Sequence, residues 1–575
     1  MSLYQTDLSL PKLPIPTLSD TEEALGEMIR PLVDERVYTR TKRELNAFFA
    51  EGGPAQKLQC LLKEYQASLP GNASWLRPIW DDMYLSHRGR LPVDMNFSFA
   101  FHVARWGEHA LPKLILALVK GIRRIGEAAF EPEAGKTGPV SMDMMQYMLY
   151  TRIPCRERDV LYRVPLNEPP VIAVTCNGNW FALSLSGKAG EDPSLDAINN
   201  ALEEIRTLSQ KKPGEPVGAF TGAGREDAGA IRAELSKHPL NRASLAIIEK
   251  SLFVLCLDPE DTPEDGSDIV CGDAANRWFD KSLQLIASGG RIGASFEHSG
   301  CDATIWLFLL SYVDSLIAGG KLDHAGTGNL EMRRLEWNIS QTGREGLYAA
   351  RAQFRELSLS LSFDRRILTR INKEAIKAAG CSPDAFVQIL YQTAYLQLTG
   401  KIRSVYESVA VRNFYQGRTE SLRPVSSESA DFARAFLRGE EGSILKEKFR
   451  LALLAHSNKL SRAHKALGSE RHMSGLLAMH HRYVGGALPG IFTCEGYKSL
   501  RNDALSTSSS TAPFIEFFGF GPVVTDGIGL GYGVKEDGLH IAVSAYPDSG
   551  VNPTEFLDTL DRIGTKLLEF LTKAE

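Results

Sequence analysis

An α/β fold built on large mixed sheets is what this sequence predicts, and three observations carry that reading. Short β-branched and aromatic runs alternate with segments whose apolar residues recur three and four apart. No internal repeat occurs at solenoid periods. The chain of 575 residues is 43% hydrophobic and 23% charged, which is globular and excludes a largely disordered polypeptide. At roughly 150 residues per domain the length fits three or four domains, and two large α/β domains equally well.

The elements follow in order. Leu10-Pro11-Lys12-Leu13-Pro14-Ile15-Pro16 holds three prolines in seven residues and reads as a stiff, extended arm. Helical spacing runs over 20–32, with Ser19 as a cap, and over 40–69. Strands are expected at 171–176 and 180–185, joined by the hairpin signal Asn177-Gly178-Asn179, and at 252–257. Helices are expected at 276–287, 304–318, 383–399 and 432–466. The tail predicts strands at 513–520, 527–534 and 539–545, then a helix over 553–573 capped by Asn552. The acidic, proline-containing loop 259–267 reads as solvated surface.

Charge and cysteine content narrow the function. A net charge of −5 supplies no global positive field, so nucleic acid is not expected as a partner. The most apolar stretch, Ile305 to Val313, ends at Asp314, well short of the ~20 residues a bilayer span needs. Residues 1–13 carry Asp7 and no arginine, and the chain ends Lys573-Ala574-Glu575. Neither end reads as a targeting signal, and a cytoplasmic location is the expectation. Eight cysteines without a CxxC pair read as free, mostly buried thiols in a reducing compartment.

GxxxxGK[ST], HExxH and GxSxG are absent, and no metal site is expected. Gly527, Gly529, Gly531 and Gly533 are spaced by two. They share one face of a strand, where they would let another segment pack closely, and no helix start follows as a dinucleotide fold requires. The sharpest local feature is Glu297-His298-Ser299-Gly300-Cys301-Asp302, between a strand-like approach at 291–296 and the apolar helix from Thr304. A lone His-x-x-x-Asp reads first as a hydrogen-bonded structural histidine. Its company changes that reading.

The sequence resembles the choline/carnitine acyltransferase family almost end to end. The resemblance rests on the proline-rich opening, on Trp80 to Tyr84 with Arg90-Leu91-Pro92, and on Gln146-Tyr147 with Thr151-Arg152-Ile153-Pro154. Asn276-Arg277-Trp278-Phe279-Asp280-Lys281-Ser282, Ser382 to Phe386, Tyr406-Glu407-Ser408, Gly417-Arg418-Thr419, Ser506-Thr507-Ser508 and Gly521 to Gly527 complete the set, in order and spacing.

That resemblance implies two similar chloramphenicol-acetyltransferase-like domains, each a mixed β-sheet with helices, and an active-site tunnel at their interface. An extended arm (1–24) would precede a discontinuous domain made of 25–89 and 340–575. Residues 90–339 would carry the catalytic histidine. It also implies reversible acyl transfer between coenzyme A, as co-substrate, and a hydroxyl, with no prosthetic group and no acyl-enzyme. His298 matches the general base. An alcohol is too weak an acid to attack a thioester unaided, and an imidazole works near neutrality in both directions. Asp302 matches the acidic partner, with a structural role, paired to Arg418. Ala303, where relatives carry glycine, is a departure. Ser508 matches an oxyanion donor, although Ser506 to Thr511 otherwise reads as a polar loop.

Further matches concern the two substrates. Carnitine has a carboxylate that choline lacks, and Arg471 falls where carnitine enzymes place a cation. Tyr406 and Thr419 match hydroxyls serving the same carboxylate, Ser506 a serine near the acceptor, and Phe520 a ring facing the trimethylammonium. Lys373 and Lys377, one helical turn apart, with Asp384 seven residues on, resemble the CoA-binding segment. Phe518, two before Phe520, stands where long-chain members carry a small residue, so a short acyl group is expected. The expectation is a monomeric short-chain carnitine O-acyltransferase. Its rivals are transfer to choline or a polyol, a carrier-protein thioester donor, and a non-catalytic acyl-CoA or carnitine sensor.

Overall fold

The structure, a computed structural model, describes residues 4, 7–135, 138–186, 191–261, 265–322 and 330–572. Two mixed sheets carry the architecture. The first has eight strands in the spatial order Glu331–Arg334, Asn179–Ser184, Val171–Cys176, Val254–Leu257, Leu283–Ser288, Arg291–Phe296, Phe97–Phe101 and Ile515–Phe520. The second has six: Ser362–Leu368, Leu539–Ala545, Ile528–Val534, Leu505–Ser509, Val405–Ala410 and Thr419–Leu422. Each has three parallel strands at its centre and antiparallel strands on both flanks. In chain order, six strands of each sheet occupy the same places. The two sheets repeat one plan, which meets the expectation of two similar α/β units.

One strand breaks the separation. Ile515–Phe520 belongs to the C-terminal stretch, yet it pairs with Phe97–Phe101 and forms the edge of the first sheet. It also lies across the second sheet, where the spaced glycines meet it. A Cβ on Gly531 would sit 1.9 Å from the Phe518 carbonyl oxygen, and one on Gly529 would sit 2.8 Å from that of Phe520. Ser544 Oγ donates to Phe520 O at 2.6 Å. The glycines are therefore a seat for the crossing strand, although Gly527 precedes the strand Ile528–Val534 and is not part of it.

Several local expectations hold. The 177–178 turn has φ of 48° at Asn177 and 75° at Gly178, the left-handed pair a tight hairpin needs. Asn552 caps the last helix through Glu555 N at 3.1 Å. The arm at 10–16 is extended and is tied down by Gln59, Gln66, Asn72 and Trp75, which donate to the carbonyls of Pro16, Leu13, Leu10 and Pro14. Others are corrected. Thr17, rather than Ser19, caps the first helix, Leu18–Ile29. Residues 40–69 form two helices, Glu35–Phe49 and Pro54–Ser68; the first ends at Ala50, Gly52 turns the chain with φ of 72°, and Pro54 opens the second at a position where its missing N–H costs nothing. The 432–466 helix is likewise two, Ser427–Leu437 and Gly442–His464.

The helix expected at 276–287 does not form. Its second half is the strand Leu283–Ser288, every residue of which is buried between neighbouring strands. A strand covered on both faces loses its alternation and cannot be told from a helix by period. The Pro259 to Ser267 loop is described only in part, since 262–264 lie outside the described residues. All eight cysteines are free, and five are buried. No helix among the described residues is long and apolar enough to cross a membrane.

Candidate active site

His298 sits where the two sheets meet. The first sheet delivers it from the end of Arg291–Phe296, and the helix Ala303–Ala318 starts five residues later. Its side chain keeps 28% exposure, so the ring remains reachable. Phe97 and Tyr84 pack edge-on to the imidazole, with ring centroids 5.1 and 5.7 Å away. Nδ1 lies 3.2 Å from the Cys301 carbonyl oxygen. A proton on Nδ1 satisfies that carbonyl and leaves the Nε2 lone pair free. Burial disfavours the imidazolium and brings the pKa below 6.5, partly offset by Asp302.

Asp302 does not cap its helix with its side chain. Its carboxylate is 3.9 Å from His298 Nδ1 and receives Arg418, with Nη2 to Oδ1 at 2.8 Å and Nε at 3.2 and 3.3 Å. Arg418 also donates to the carbonyls of Ser299 (2.7 Å) and His298 (3.1 Å). Burial raises the Asp302 pKa, but the Arg418 guanidinium outweighs it and holds the carboxyl below the usual range. Asp302 and Arg418 thus brace the loop.

A second set gathers around Arg471, which a sequence reading alone would leave on a helix surface. On Ser469–Met479 it is 9% exposed. It donates through Nε to Thr419 O (3.1 Å) and through Nη2 to Tyr406 Oη (3.2 Å). The Trp80 indole lies under both arginines, 4.4 Å from Arg471 and 4.7 Å from Arg418. Among the described residues, Arg471 has no carboxylate within ion-pair distance. Glu470 is taken by Arg423 at 2.6 Å, and Glu420 is pushed up to about 7 by burial, so much of it is neutral near pH 7. Trp80 and Tyr84 were legible only as members of a family motif. Their packing against the arginines and the histidine comes from the fold.

Ser506 and Ser508 lie on one face of the strand Leu505–Ser509, not in a loop. Ser506 is in register with Tyr406 on one side and Gly529 on the other, and Ser508 is in register with Gly531. That face is the one the crossing strand covers: the Phe518 carbonyl stands over Gly531, the register partner of Ser508, and the Phe520 carbonyl over Gly529, the register partner of Ser506. Phe520 is half-buried, with its ring 5.3 Å from that of Phe518. Phe518 is buried, 5.0 Å from Phe99 and 6.0 Å from Phe97.

Lys373, Lys377 and Asp384 stand apart from this cluster. The lysines share the helix Lys373–Ala378, Lys377 exposed and Lys373 paired with Glu536 at 2.8 Å. The Asp384 carboxylate faces inward, accepting from Tyr532 Oη (2.8 Å) and lying 2.9 Å from His456 Nε2. Tyr532 and Glu407 alternate with Gly531 and Tyr406, so this network occupies the opposite face of the second sheet from Ser506 and Ser508.

A family profile described as Choline/Carnitine o-acyltransferase matches residues 13–562. The chain belongs to the choline/carnitine O-acyltransferase family. It is a CoA-dependent O-acyltransferase. Carnitine O-palmitoyltransferase 2, mitochondrial, of Homo sapiens is 27% identical over 96% of this chain and 90% of its own length. Carnitine O-acetyltransferase of Rattus norvegicus is 28% identical over 94% and 89%. Choline O-acetyltransferase of Danio rerio is 28% identical over 96% and 91%. Among solved structures, the first condensation domain of the calcium-dependent antibiotic synthetase aligns over 87% of this chain and 95% of its own, at 13% identity and a TM-score of 0.38.

Proposed function

We propose that this acyltransferase moves a short acyl group reversibly between coenzyme A and the 3-hydroxyl of carnitine. One observation supports carnitine over choline. Arg471 is a buried guanidinium with no carboxylate partner among the described residues, set against Tyr406 and Thr419. An unpaired buried charge is costly, by several kcal/mol after relaxation. A carboxylate on the acceptor would complete it, and choline brings none. Phe520 then faces the trimethylammonium, and Ser506 lines the same side.

The chemistry needs no covalent enzyme intermediate. His298 Nε2 takes the carnitine hydroxyl proton as the oxygen attacks the thioester carbonyl. The carbonyl oxygen becomes a tetrahedral oxyanion, for which the Ser508 hydroxyl is the donor. As the intermediate collapses, the C–S bond breaks and the CoA sulfur takes the proton from the imidazolium. The reverse reaction runs through the same groups.

The CoA end rests on Lys373 and Lys377, with Asp384 at the start of the helix Pro383–Thr399. A cavity of about 790 Å³ lies beside Lys373, lined by Arg291, Lys535 and His540 but also by Glu516, Glu536 and Asp537, so a bound nucleotide would have to displace acidic neighbours from the lysines. The Lys373–Glu536 pair is solvent-exposed, and such pairs contribute only ~0–1 kcal/mol, so a phosphate could displace the glutamate. The aromatic wall of Phe97, Phe99 and Phe518 behind His298 favours acetyl or propionyl over long chains. In domain terms, 90–339 would carry the base, and 25–89 with 340–575 would carry the substrate elements, sharing the crossing strand.

An acceptor screen with acetyl-CoA, following thiol release with carnitine, choline and polyols, tests the reading. Turnover with carnitine alone is expected. A preference for choline or a polyol would overturn the role of Arg471.

A further inference from the structure

The catalytic loop has two sides, and Arg418 holds only one. On the other side, Glu297 turns its carboxylate back under the loop it begins. Glu297 Oε2 accepts from Ser299 N (3.1 Å) and Ser299 Oγ (2.5 Å), and lies 2.5 Å from Tyr150 Oη. Glu297 Oε1 accepts from Arg152 Nη1 at 3.1 Å. Tyr150 Oη in turn accepts from Gly300 N at 2.9 Å. The Tyr150 ring fills the space over Gly300, where a Cβ would come within 2.3 Å of Tyr150 Cε1. No side chain fits at that position while Tyr150 is in place.

Arg152 joins this cradle to the wall around the histidine. Its Nη2 donates to the Tyr84 carbonyl at 2.7 Å, and the Tyr84 ring packs on His298. Its Nε reaches Asp159 at 2.7 Å. Arg225 bonds that same carboxylate at 2.7 Å and Asp280 at 2.6 Å. The Glu297, Arg152, Asp159 and Arg225 side chains are fully buried. A chain of alternating charges thus runs from the interior of the first sheet's domain and ends on the residue preceding the catalytic histidine. Removing one member of such a chain leaves its neighbour's charge uncompensated.

We infer that Glu297 and Tyr150 are positioning residues for the transfer reaction, fixing the His298 loop from the first sheet's side as Arg418 fixes it from the second. The inference rests on His298 being the base. The groups facing His298 are Asp302 and Arg418 from one side and Glu297 from the other, with the Tyr84 and Phe97 rings between. The Glu297 carboxylate favours the imidazolium, so replacing it with a neutral amide makes the ring less basic.

The test compares Glu297→Gln, Tyr150→Phe and His298→Ala in the full-length enzyme. Glu297→Gln keeps the shape and removes the charge. Tyr150→Phe removes only a hydroxyl and guards against a variant that fails to fold. Both are expected to lower kcat about 10–100-fold, the range seen when a group that orients a reacting side chain is lost. KM for both substrates should stay within about threefold, because neither residue touches substrate. In Glu297→Gln the acid limb of kcat/KM should also move to lower pH, whereas Tyr150→Phe should leave it in place. Unchanged kcat in both variants, or KM rising in step with the loss of kcat, would overturn the inference. His298→Ala reports on the underlying reading separately. If it retains turnover, the base assignment itself falls, whatever the other two variants do.

Discussion

Arg418 Nη2 lies 2.8 Å from Asp302 Oδ1 and 3.1 Å from the His298 carbonyl oxygen, so one guanidinium grips both ends of the His-x-x-x-Asp loop. Arg418→Ala should therefore act on stability and turnover together. Removing one partner of a buried pair costs ~3–5 kcal/mol, which thermal unfolding would read as a clear fall in Tm. Arg418→Lys should restore little, because an ammonium cannot reproduce the contacts to Asp302, Ser299 and His298 at once. A lysine variant with wild-type kcat would show that the fork geometry is unimportant.

His298 should remain a neutral base below the ordinary histidine pKa. Burial lowers its pKa from 6.5, and as pH falls through that lowered value the ring takes a proton and can no longer accept one. The kcat/KM profile for carnitine should be flat near pH 7, with its acid limb below 6.5. An acid limb above 7 would mean the carboxylates dominate over burial.

Arg471→Asn should raise the carnitine KM by roughly 10–100-fold, the worth of a charge-assisted hydrogen bond of ~1.5–3 kcal/mol. Choline, with no carboxylate to lose, should be affected far less, and the carnitine-to-choline preference should narrow accordingly. Steady-state kinetics with both acceptors reads this, and an unchanged carnitine KM would place the carboxylate elsewhere.

Phe518→Gly should lengthen the acyl groups accepted. The ring packs against Phe97 and Phe99 directly behind the histidine, and removing it leaves a void. The ratio of octanoyl-CoA to acetyl-CoA turnover should rise, while stability falls by ~3–5 kcal/mol as for other buried phenylalanine truncations. A ratio that does not move would show that chain length is set by other residues.

Gly531→Ala tests the seat of the crossing strand. The new methyl would meet the Phe518 carbonyl at 1.9 Å, so the strand must shift, and overpacking of this kind costs typically ~1–3 kcal/mol. Tm should drop, and because Phe518 and Phe520 ride on that strand, the carnitine KM should change with it. A variant as stable as the parent would mean that the two sheets slide past one another easily.

Much of the local structure could be read from residues alone. Asn177-Gly178 states its own turn, because few other pairs accept positive φ twice in succession. The seat formed by Gly529 and Gly531 follows from their period of two. Placing His298 between strand and helix needed only the change of pattern at 296–304. The segment 276–287 shows the limit. Its strand lies between the strands at 254–257 and 291–296, with Leu283, Leu285 and Ala287 packed into one core and Ile286 into another, and nothing within the segment records that both faces are covered. Arg471 shows the same limit for the site, since its own helix offers no sign that a neighbouring strand, a tryptophan from the N-terminal region and a buried glutamate enclose it.

By itself the sequence determined local features such as the Asn177-Gly178 turn, the Asn552 cap and the glycine spacing, since turn chemistry, capping and periodicity act over a few residues, and its resemblance to one family implied the candidate site residues. Only the tertiary structure decided which charge is left without a partner, which strand is shared between the sheets, and how Glu297 and Arg418 hold one loop from opposite sides. Those outcomes depend on desolvation and on contacts between residues more than a hundred positions apart, such as Arg418 and Asp302, and both exist only once the chain has folded.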